Sequence, residues 1–167
     1  NAHDKIIGLG IGAPNGNYYT GCIDEAPNLP WRGKIQLTKL FEHHFSLPVV
    51  LTNDANAAAI GEMVFGGAKN MKNFIVITLG TGVGSGIVVD GKILYGHDGF
   101  AGEVGHMTAV PDGRNCNCGR KGCLETYASA TGVVRTVAEL LCQRTEPSVL
   151  RDIPYNKITS KDVYNAA

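Results

Sequence analysis

The chain has 167 residues, 44% of them hydrophobic and 18% charged, which is the composition of a globular protein rather than a disordered one. Its 15 basic and 15 acidic residues balance, and this argues against a general nucleic-acid or membrane-surface binder. No apolar run approaches the roughly 20 residues that span a bilayer, and nothing at the N-terminus resembles a signal peptide, so we expect a cytoplasmic enzyme.

The first part of the chain alternates between strand and helix patterns. Turn residues at Ala13-Pro14-Asn15-Gly16 follow an apolar run, and apolar residues then recur at helical spacing. Glycines at Gly66-Gly67 are typical of a helix C-terminus. We predict a strand over residues 5–12, a helix over 34–45, a short strand over 47–51, and an alanine-rich helix from Asn53-Asp54 to about Phe65.

The second part begins with a hairpin pattern. Asp90-Gly91 is a hairpin signal between apolar runs. The pattern changes near residues 66–73, and this boundary predicts two lobes, 1–70 and 71–167. Both ends have the patterns of severed elements, so we interpret the chain as internal to a longer fold. We predict strands over 74–79, 86–89 and 92–95, a loop-rich segment over 96–122, a helix over 124–142, and a last helix with Ser160 as its N-cap.

Three of the five cysteines lie within eight residues, at Cys116, Cys118 and Cys123. In a chain without secretory features, this clustering favours a metal site over disulfides. With His106 upstream, three thiolates and one imidazole make a closed tetrahedral zinc site of the structural type. The alternative is a loop of three reduced cysteines. Cys22 and Cys142 stand alone and are expected to be small buried residues.

A glycine-rich turn joins two predicted strands at Leu79-Gly80-Thr81-Gly82-Val83-Gly84. Its backbone N–H groups could approach an anion, and Thr81 offers a hydroxyl. It is neither a P-loop nor a dinucleotide-binding fingerprint, because no helix follows it. Taken alone, the pattern fits a tight hairpin as well as a phosphate site.

Several carboxylates are candidates for chemistry. Asp54 follows a strand and begins a helix, where α/β folds often place functional residues, but aspartate also commonly caps helices there. Glu103 and Glu125 flank the cysteine loop. Each could orient a ligand histidine, contact a substrate or be solvated, and their spacing does not decide between these roles.

Two strings together resemble one protein family. Gly102-Glu103-Val104-Gly105-His106 is followed by Cys116-x-Cys118-Gly119-x-x-Gly122-Cys123-x-Glu125, after Gly8-Leu9-Gly10-Ile11-Gly12-Ala13-Pro14 near the start. The chain thereby resembles, over nearly its whole length, the bacterial repressors, open-reading-frame kinases and sugar kinases known as ROK, in the glucokinase branch. The resemblance implies an α/β, actin-like ATPase (ribonuclease H-like) fold with two lobes, truncated here at both ends.

The resemblance also implies the roles of individual residues. Asp54 corresponds to the catalytic base and Asn53 to a neighbour that binds a sugar hydroxyl, while Gly80, Thr81 and Gly82 correspond to a phosphate motif. His106 would bind zinc through one ring nitrogen and face the sugar with the other. The implied sugar-binding residues are Asn53, Asp54, Glu103, His106 and Glu125, and the implied zinc ligands are His106, Cys116, Cys118 and Cys123.

The implied reaction is transfer of the γ-phosphoryl group of ATP to the 6-hydroxyl of glucose, with Mg²⁺ accompanying ATP. The segment Ala26-Pro27-Asn28-Leu29-Pro30-Trp31 resembles the glucokinase version of a region that varies with sugar preference. A homo-oligomer, dimer or tetramer, is expected, as is an ATP site incomplete within these residues, so that the isolated chain is inactive. The alternatives are a sugar-sensing regulator and a kinase for N-acetylglucosamine, N-acetylmannosamine or fructose.

Overall fold

A computed structural model describes residues 6–24 and 29–167 of the chain. The part described consists of short sheets and helices. In chain order, the elements are β1 (Leu9–Gly12), β2 (Gly16–Asn17), β3 (Cys22–Asp24), β4 (Lys34–Ile35), α1 (Leu37–Phe45), β5 (Val49–Thr52), α2 (Asp54–Val64), β6 (Phe74–Leu79), β7 (Val83–Val89), β8 (Lys92–Ile93), α3 (Glu125–Ala128), α4 (Ala130–Gln143) and α5 (Ser160–Asn165).

The chain forms two compact units, and most contacts between residues lie within one unit or the other. The first unit contains the residues up to Val76 together with Ser85–Gly102, and the second contains Ile77–Gly84 and Glu103–Ala167. This grouping does not follow the predicted boundary between residues 70 and 71, because a later segment joins the first unit. The assignment of lobes stays a prediction.

The first unit places the start of α2 at the end of a strand. Strands β1 and β5 pair in parallel, with Gly12 opposite Thr52, and α2 begins two residues later. A Cβ on Gly12 would lie 2.8 Å from the Cβ of Ala57, so the glycine lets α2 pack closely on β1. Beside this pair, a small core contains Ala13, Ile23, Leu37 and Leu51.

The predicted helix over residues 34–45 is too long at its N-terminus. Lys34 and Ile35 form β4, which pairs antiparallel with β3 and places Ile35 opposite Ile23. Ile35 packs against the buried core, so a tertiary contact overrides the helical pattern there. The helix itself begins at Leu37.

The predicted strands differ from the observed strands mainly in the residues at which they begin and end. Strand β1 is confirmed only over Leu9–Gly12, and the first residue of the predicted strand, Lys5, lies outside the described residues. The hairpin at Asp90-Gly91 is confirmed, with φ of 50° and 73° at its two central residues. Strand β7 begins at Val83, three residues earlier than predicted, so the glycine turn is shorter than expected.

The second unit contains the cysteine loop and three helices, with short 3₁₀ segments between them. The single helix predicted over 124–142 is wrong, because Ser129 ends α3 and caps α4 by accepting the N–H of Gly132 at 3.1 Å. The predicted cap at Ser160 is also wrong. Thr159 caps α5 and forms a capping box with Asp162.

The two isolated cysteines have different environments. Cys22 is fully buried, as predicted, but Cys142 is exposed on α4, so the prediction of a buried residue is wrong there. Among the helices of the described residues, none has both the length and the apolarity needed to cross a bilayer.

Candidate active site and metal centre

The start of α2 separates the roles of two adjacent polar residues. Asn53 is the N-cap, with φ of −62° and ψ of 148°, and its Oδ1 accepts the N–H of Ala55 at 2.8 Å. Asp54 is the first helical residue, and its Oδ1 accepts the same N–H at 2.9 Å. Its side chain is exposed and lies where the helix dipole favours a negative charge. The cap is therefore formed by Asn53, and Asp54 occupies the next position.

The cysteine loop brings dispersed ligand atoms together. Atoms of His106, Cys116, Cys118 and Cys123 all lie within 4.8 Å of one another, and this group could hold a metal ion. The Sγ atoms of Cys118 and Cys123 are 3.7 Å apart, and the Sγ of Cys116 is 3.7 Å from Nδ1 of His106. These four residues are the predicted metal ligands.

The spacing fits one tetrahedral ion. Zinc–sulfur bonds of about 2.3 Å at the tetrahedral angle place neighbouring sulfurs roughly 3.7–3.8 Å apart. The separation of Cys118 and Cys123 agrees with this value. Nδ1 of His106 is the ring nitrogen that lies near the Sγ of Cys116.

Two of the thiols differ in acidity. Burial raises the pKa of Cys116 to about 11, whereas a hydrogen bond from the backbone of Arg120 lowers the pKa of Cys118 to about 6. Metals bind thiolates rather than thiols. One ligand is thus largely ionised near neutral pH, while Cys116 must lose a proton when a metal binds.

Two glycines shape the cysteine loop. Gly119 and Gly122 have φ of 87° and 74°, which L-residues with side chains rarely adopt. A Cβ on Gly122 would also collide with the backbone carbonyl of Val110, whereas a Cβ on Gly119 would meet nothing within 4 Å. Position 122 therefore requires glycine for two reasons, its positive φ and the lack of space for a Cβ.

Arg114 connects the cysteine loop to α4. Its side chain is only 8% exposed, and its guanidinium lies 4.5 Å from the centre of the Tyr127 ring. The guanidinium donates to the carbonyl oxygens of Thr126 and Gly132, to Thr136 Oγ1 and to Glu139 Oε2. Sequence reasoning missed this residue, because its partners lie 12 to 25 positions away.

The glycine turn lies beside the N-terminus of α4. The N–H of Gly80 donates to the carbonyl of Gly82 at 3.0 Å, and the N–H of Ala130 donates to the carbonyl of Gly80 at 2.9 Å. The N-terminus of a helix favours anions through its dipole and N–H groups. Sequence reasoning missed this neighbour, although Ser129, the cap of α4, was a local signal.

Glu125 contacts the glycine turn directly. Its Oε2 accepts the N–H of Val83 at 3.1 Å, and its Oε1 lies 3.9 Å from the Sγ of Cys116.

A groove of about 420 Å³ lies along α4 and α5 and is lined by residues that include Thr131, Val134, Tyr155 and Ile158.

The predicted site residues fall in both units. Asn53 and Asp54 belong to the first unit, while Glu103, His106, Glu125 and the three cysteines belong to the second. Glu103 is exposed and precedes the 3₁₀ turn Val104–His106, whose last N–H donates to the Glu103 carbonyl at 3.1 Å. Of the predicted sugar-preference segment, residues 26–28 lie outside the described residues, and Trp31 is 47% exposed.

Comparison with known proteins shows one consistent relationship. The sequence model of the ROK family matches residues 1–167. A glucokinase of Halalkalibacterium halodurans is 48% identical over an alignment of 167 positions, which covers 97% of this chain and 50% of that protein. The chain therefore spans about half the length of this relative.

Two solved structures are similar in fold. A ROK family glucokinase from Streptomyces griseus, in complex with glucose and AMPPNP, matches 97% of this chain and 53% of its own with a TM-score of 0.80 and 38% identity. A ROK family transcriptional regulator, homologous to the MLC protein of E. coli, matches 95% of this chain and 39% of its own with a TM-score of 0.82 and 33% identity.

Proposed function

Because this chain belongs to the ROK family, we propose that the protein carrying it phosphorylates glucose at the 6-hydroxyl from ATP. The fold predicted from the sequence, a mixed α/β fold of the actin-like ATPase type, is confirmed by the family and its solved structures. Similarity to glucokinases supports the activity of a sugar kinase. Glucose as the acceptor is the finer part of the proposal.

The observation that carries the proposal is the position of Asp54. Asn53 forms the helix cap, so the structure does not need a second cap at residue 54. Asp54 instead presents an exposed carboxylate at the start of α2. A base that accepts the proton of a sugar hydroxyl must be reachable by that hydroxyl. We assign this role to Asp54.

We assign the binding of sugar hydroxyls to Asn53, Glu103, His106 and Glu125. The cap uses the oxygen of the Asn53 amide, so Nδ2 is the atom that would donate to a hydroxyl. The four ligands of the cysteine loop fit a structural Zn²⁺. With Nδ1 on the metal, Nε2 of His106 would be held in one orientation for the sugar.

We assign the phosphates of ATP to the turn of Gly80, Thr81 and Gly82. The N-terminus of α4 beside this turn supports the assignment, since it adds a favourable dipole for anions. The groove along α4 and α5 would receive the nucleoside part. Within the described residues, the cysteine cluster is the sole candidate group of metal ligands, so Mg²⁺ would arrive with ATP. Catalysis of this kind depends on positioning and charge stabilisation.

A substrate panel tests the proposal. The full-length protein should be assayed with ATP, Mg²⁺ and glucose, N-acetylglucosamine, N-acetylmannosamine or fructose, alongside Asp54→Asn. We expect turnover with glucose to exceed that with the other sugars and to depend on Asp54. Asp90→Asn, at the exposed hairpin, is the matched control and should retain full turnover. Preference for another sugar would overturn the glucose assignment alone.

A sugar-responsive regulator is the second candidate, because a ROK transcriptional regulator has a similar fold. Calorimetry distinguishes the two functions. A regulator would bind glucose without turnover, and Asp54→Asn would then change nothing but affinity. Such a result would replace the kinase proposal.

A further inference from the structure

We propose that Glu125 couples the metal-binding loop to the glycine turn, so that metal binding positions the backbone of Gly82 and Val83. The inference rests on the proposed function only in assigning nucleotide phosphates to this turn. The coupling itself concerns contacts within the second unit. Glu125 acts as a positioning residue in this role, in addition to any contact with a sugar.

The first link runs from Glu125 to the turn. Its Oε2 accepts the N–H of Val83 at 3.1 Å, and Val83 is 6% exposed. A Cβ on Gly82 would clash with the same oxygen. The carboxylate is thus packed against the Cα of Gly82 while it accepts a charge-assisted hydrogen bond, which is stronger than a neutral one.

The second link runs from Glu125 to the metal ligands. Glu125 follows Cys123 by two residues, and its Oε1 lies 3.9 Å from the Sγ of Cys116. The residue between them, Leu124, donates its N–H to the carbonyl of Met107 at 2.9 Å, next to His106. A metal that draws His106 and Cys123 together would therefore also hold the backbone that carries Glu125.

A second hydrogen bond holds the glycine turn and does not involve the side chain of Glu125. The N–H of Ala130 donates to the carbonyl of Gly80 at 2.9 Å, independently of Glu125. Loss of the coupling should therefore loosen Gly82 and Val83 and leave the contact at Gly80 in place. This local pattern distinguishes coupling from general unfolding.

The chain offers a matched control in Glu62. Its Oε2 accepts the N–H of Gly67 at 2.8 Å, and a Cβ on Gly66 would clash with the same oxygen. A glutamate thus packs on a glycine turn in both places. Glu62 belongs to the first unit and is not part of the cysteine cluster.

Amide hydrogen exchange on the full-length protein, loaded with Zn²⁺ or treated with a chelator, tests the coupling. We expect metal removal to speed exchange of the Val83 amide by roughly tenfold or more, the usual worth of such a hydrogen bond. Glu125→Ala should do the same with the metal bound, while Glu62→Ala should leave Val83 unchanged. The Ala130 amide should change less than twofold in each case.

A reciprocal measurement covers the case in which Glu125→Ala fails to fold. Gly82→Ala should displace the carboxylate, whereas a Cβ on Gly80 would meet nothing within 4 Å. Because coupling between sites is reciprocal, we expect Gly82→Ala to weaken Zn²⁺ binding about tenfold in competition with a chelating dye, and Gly80→Ala to leave it within twofold.

Two results would overturn the proposal. One is an unchanged Val83 amide after elemental analysis has shown the metal to be gone. The other is equal Zn²⁺ affinity in Gly82→Ala and Gly80→Ala. Neither measurement requires turnover. If the kinase proposal fails, the exchange and Zn²⁺-binding results still test the coupling. If the coupling fails, the turnover assays still test the kinase proposal.

Discussion

The start of α2 and the cysteine loop both carry functional candidates, but they are held in different ways. Asn53 and Asp54 are placed by contacts with Ala55, within two residues in the sequence. The cysteine loop is placed by partners much further away, such as Arg114 with Glu139 and Val83 with Glu125. The first site is a local structure and the second is assembled by the tertiary fold.

This difference has a consequence for mutation. At a local site, one side chain can be changed while the backbone keeps its conformation, so a functional role can be separated from a structural one. In the cysteine loop, ligands, glycines and Arg114 support one another, and changes there should affect stability and metal binding together.

The largest effect is expected at the local site. Asp54→Asn should lower turnover of the full-length protein by roughly 10²–10⁴-fold, the usual contribution of a positioned base. Asn53→Ala should destabilise the protein by about 1 kcal/mol, because it removes the cap, in addition to losing the proposed contact with a sugar hydroxyl. Steady-state kinetics and denaturant melts check both. If Asp54→Asn destabilises as much as Asn53→Ala and keeps its turnover, the separation of roles fails.

Metal removal should have the next largest effect. A ligand present at about 100 times its dissociation constant stabilises a fold by about 2.7 kcal/mol, which corresponds to roughly 5–11 °C for a domain of this size. We expect chelation, or Cys123→Ser, to lower the melting temperature by that amount. Cys142→Ser, at an exposed cysteine outside the cluster, is the control. Equal melting of chelated and loaded protein would contradict a structural metal.

Two glycines of the loop should respond unequally. Gly119→Ala must only accept a positive φ, at a cost of about 1 kcal/mol, whereas Gly122→Ala also collides with the carbonyl of Val110. We expect Gly122→Ala to cost at least about 1–2 kcal/mol more than Gly119→Ala, since the backbone must shift. Thermal melts with the metal bound measure the difference. Similar losses would show that the loop can adjust at Val110.

Arg114→Lys should destabilise the loop by about 1–3 kcal/mol, because a lysine cannot reproduce the planar set of donors that a guanidinium offers. Arg135 pairs with the same Glu139 but is 51% exposed, so Arg135→Lys should change stability by less than about 0.5 kcal/mol. Denaturant melts compare the two variants. Matching values would mean that the buried contacts of Arg114 contribute little.

A further effect is a proton released when the metal binds. The pKa of Cys116 is raised to about 11 and that of Cys118 is lowered to about 6. Between these values Cys116 holds its proton, and the metal must displace it. Zn²⁺ affinity should therefore rise with pH, at least about tenfold per unit between pH 7 and 9, when measured against a chelator of known pH dependence. A flat profile would show that Cys116 is not a ligand.

Much of the fold follows from local patterns in the sequence. Helix α2, strand β6 and the hairpin at Asp90-Gly91 lie where the sequence predicts them, because propensity, caps and turn residues agree there. The four candidate metal ligands were predicted from cysteine spacing and the family resemblance, and the structure brings their atoms together. Cysteine spacing is informative because a structural zinc site needs four ligand atoms, from cysteine or histidine, in a small volume.

The wrong predictions have two causes, a partner further along the chain in one case and a local cap in another. Ile35 joins β4 because Ile23 lies opposite it, and Ser129 interrupts the helical pattern to begin a new helix. The sequence shows Glu125 and Arg114 as charged residues near cysteines, and only the structure reveals their contacts.

The sequence by itself thus determined the helix start at Asn53-Asp54, the cysteine cluster and the family to which the chain belongs. Only the tertiary structure decided that Nδ1 of His106 lies near the Sγ of Cys116 and that Glu125 contacts Val83. The reason is physical. Backbone propensities and ligand spacing act over a few residues. The direction of a side chain depends on partners that folding brings close, as with Glu125 and Val83, which are 42 positions apart in the sequence.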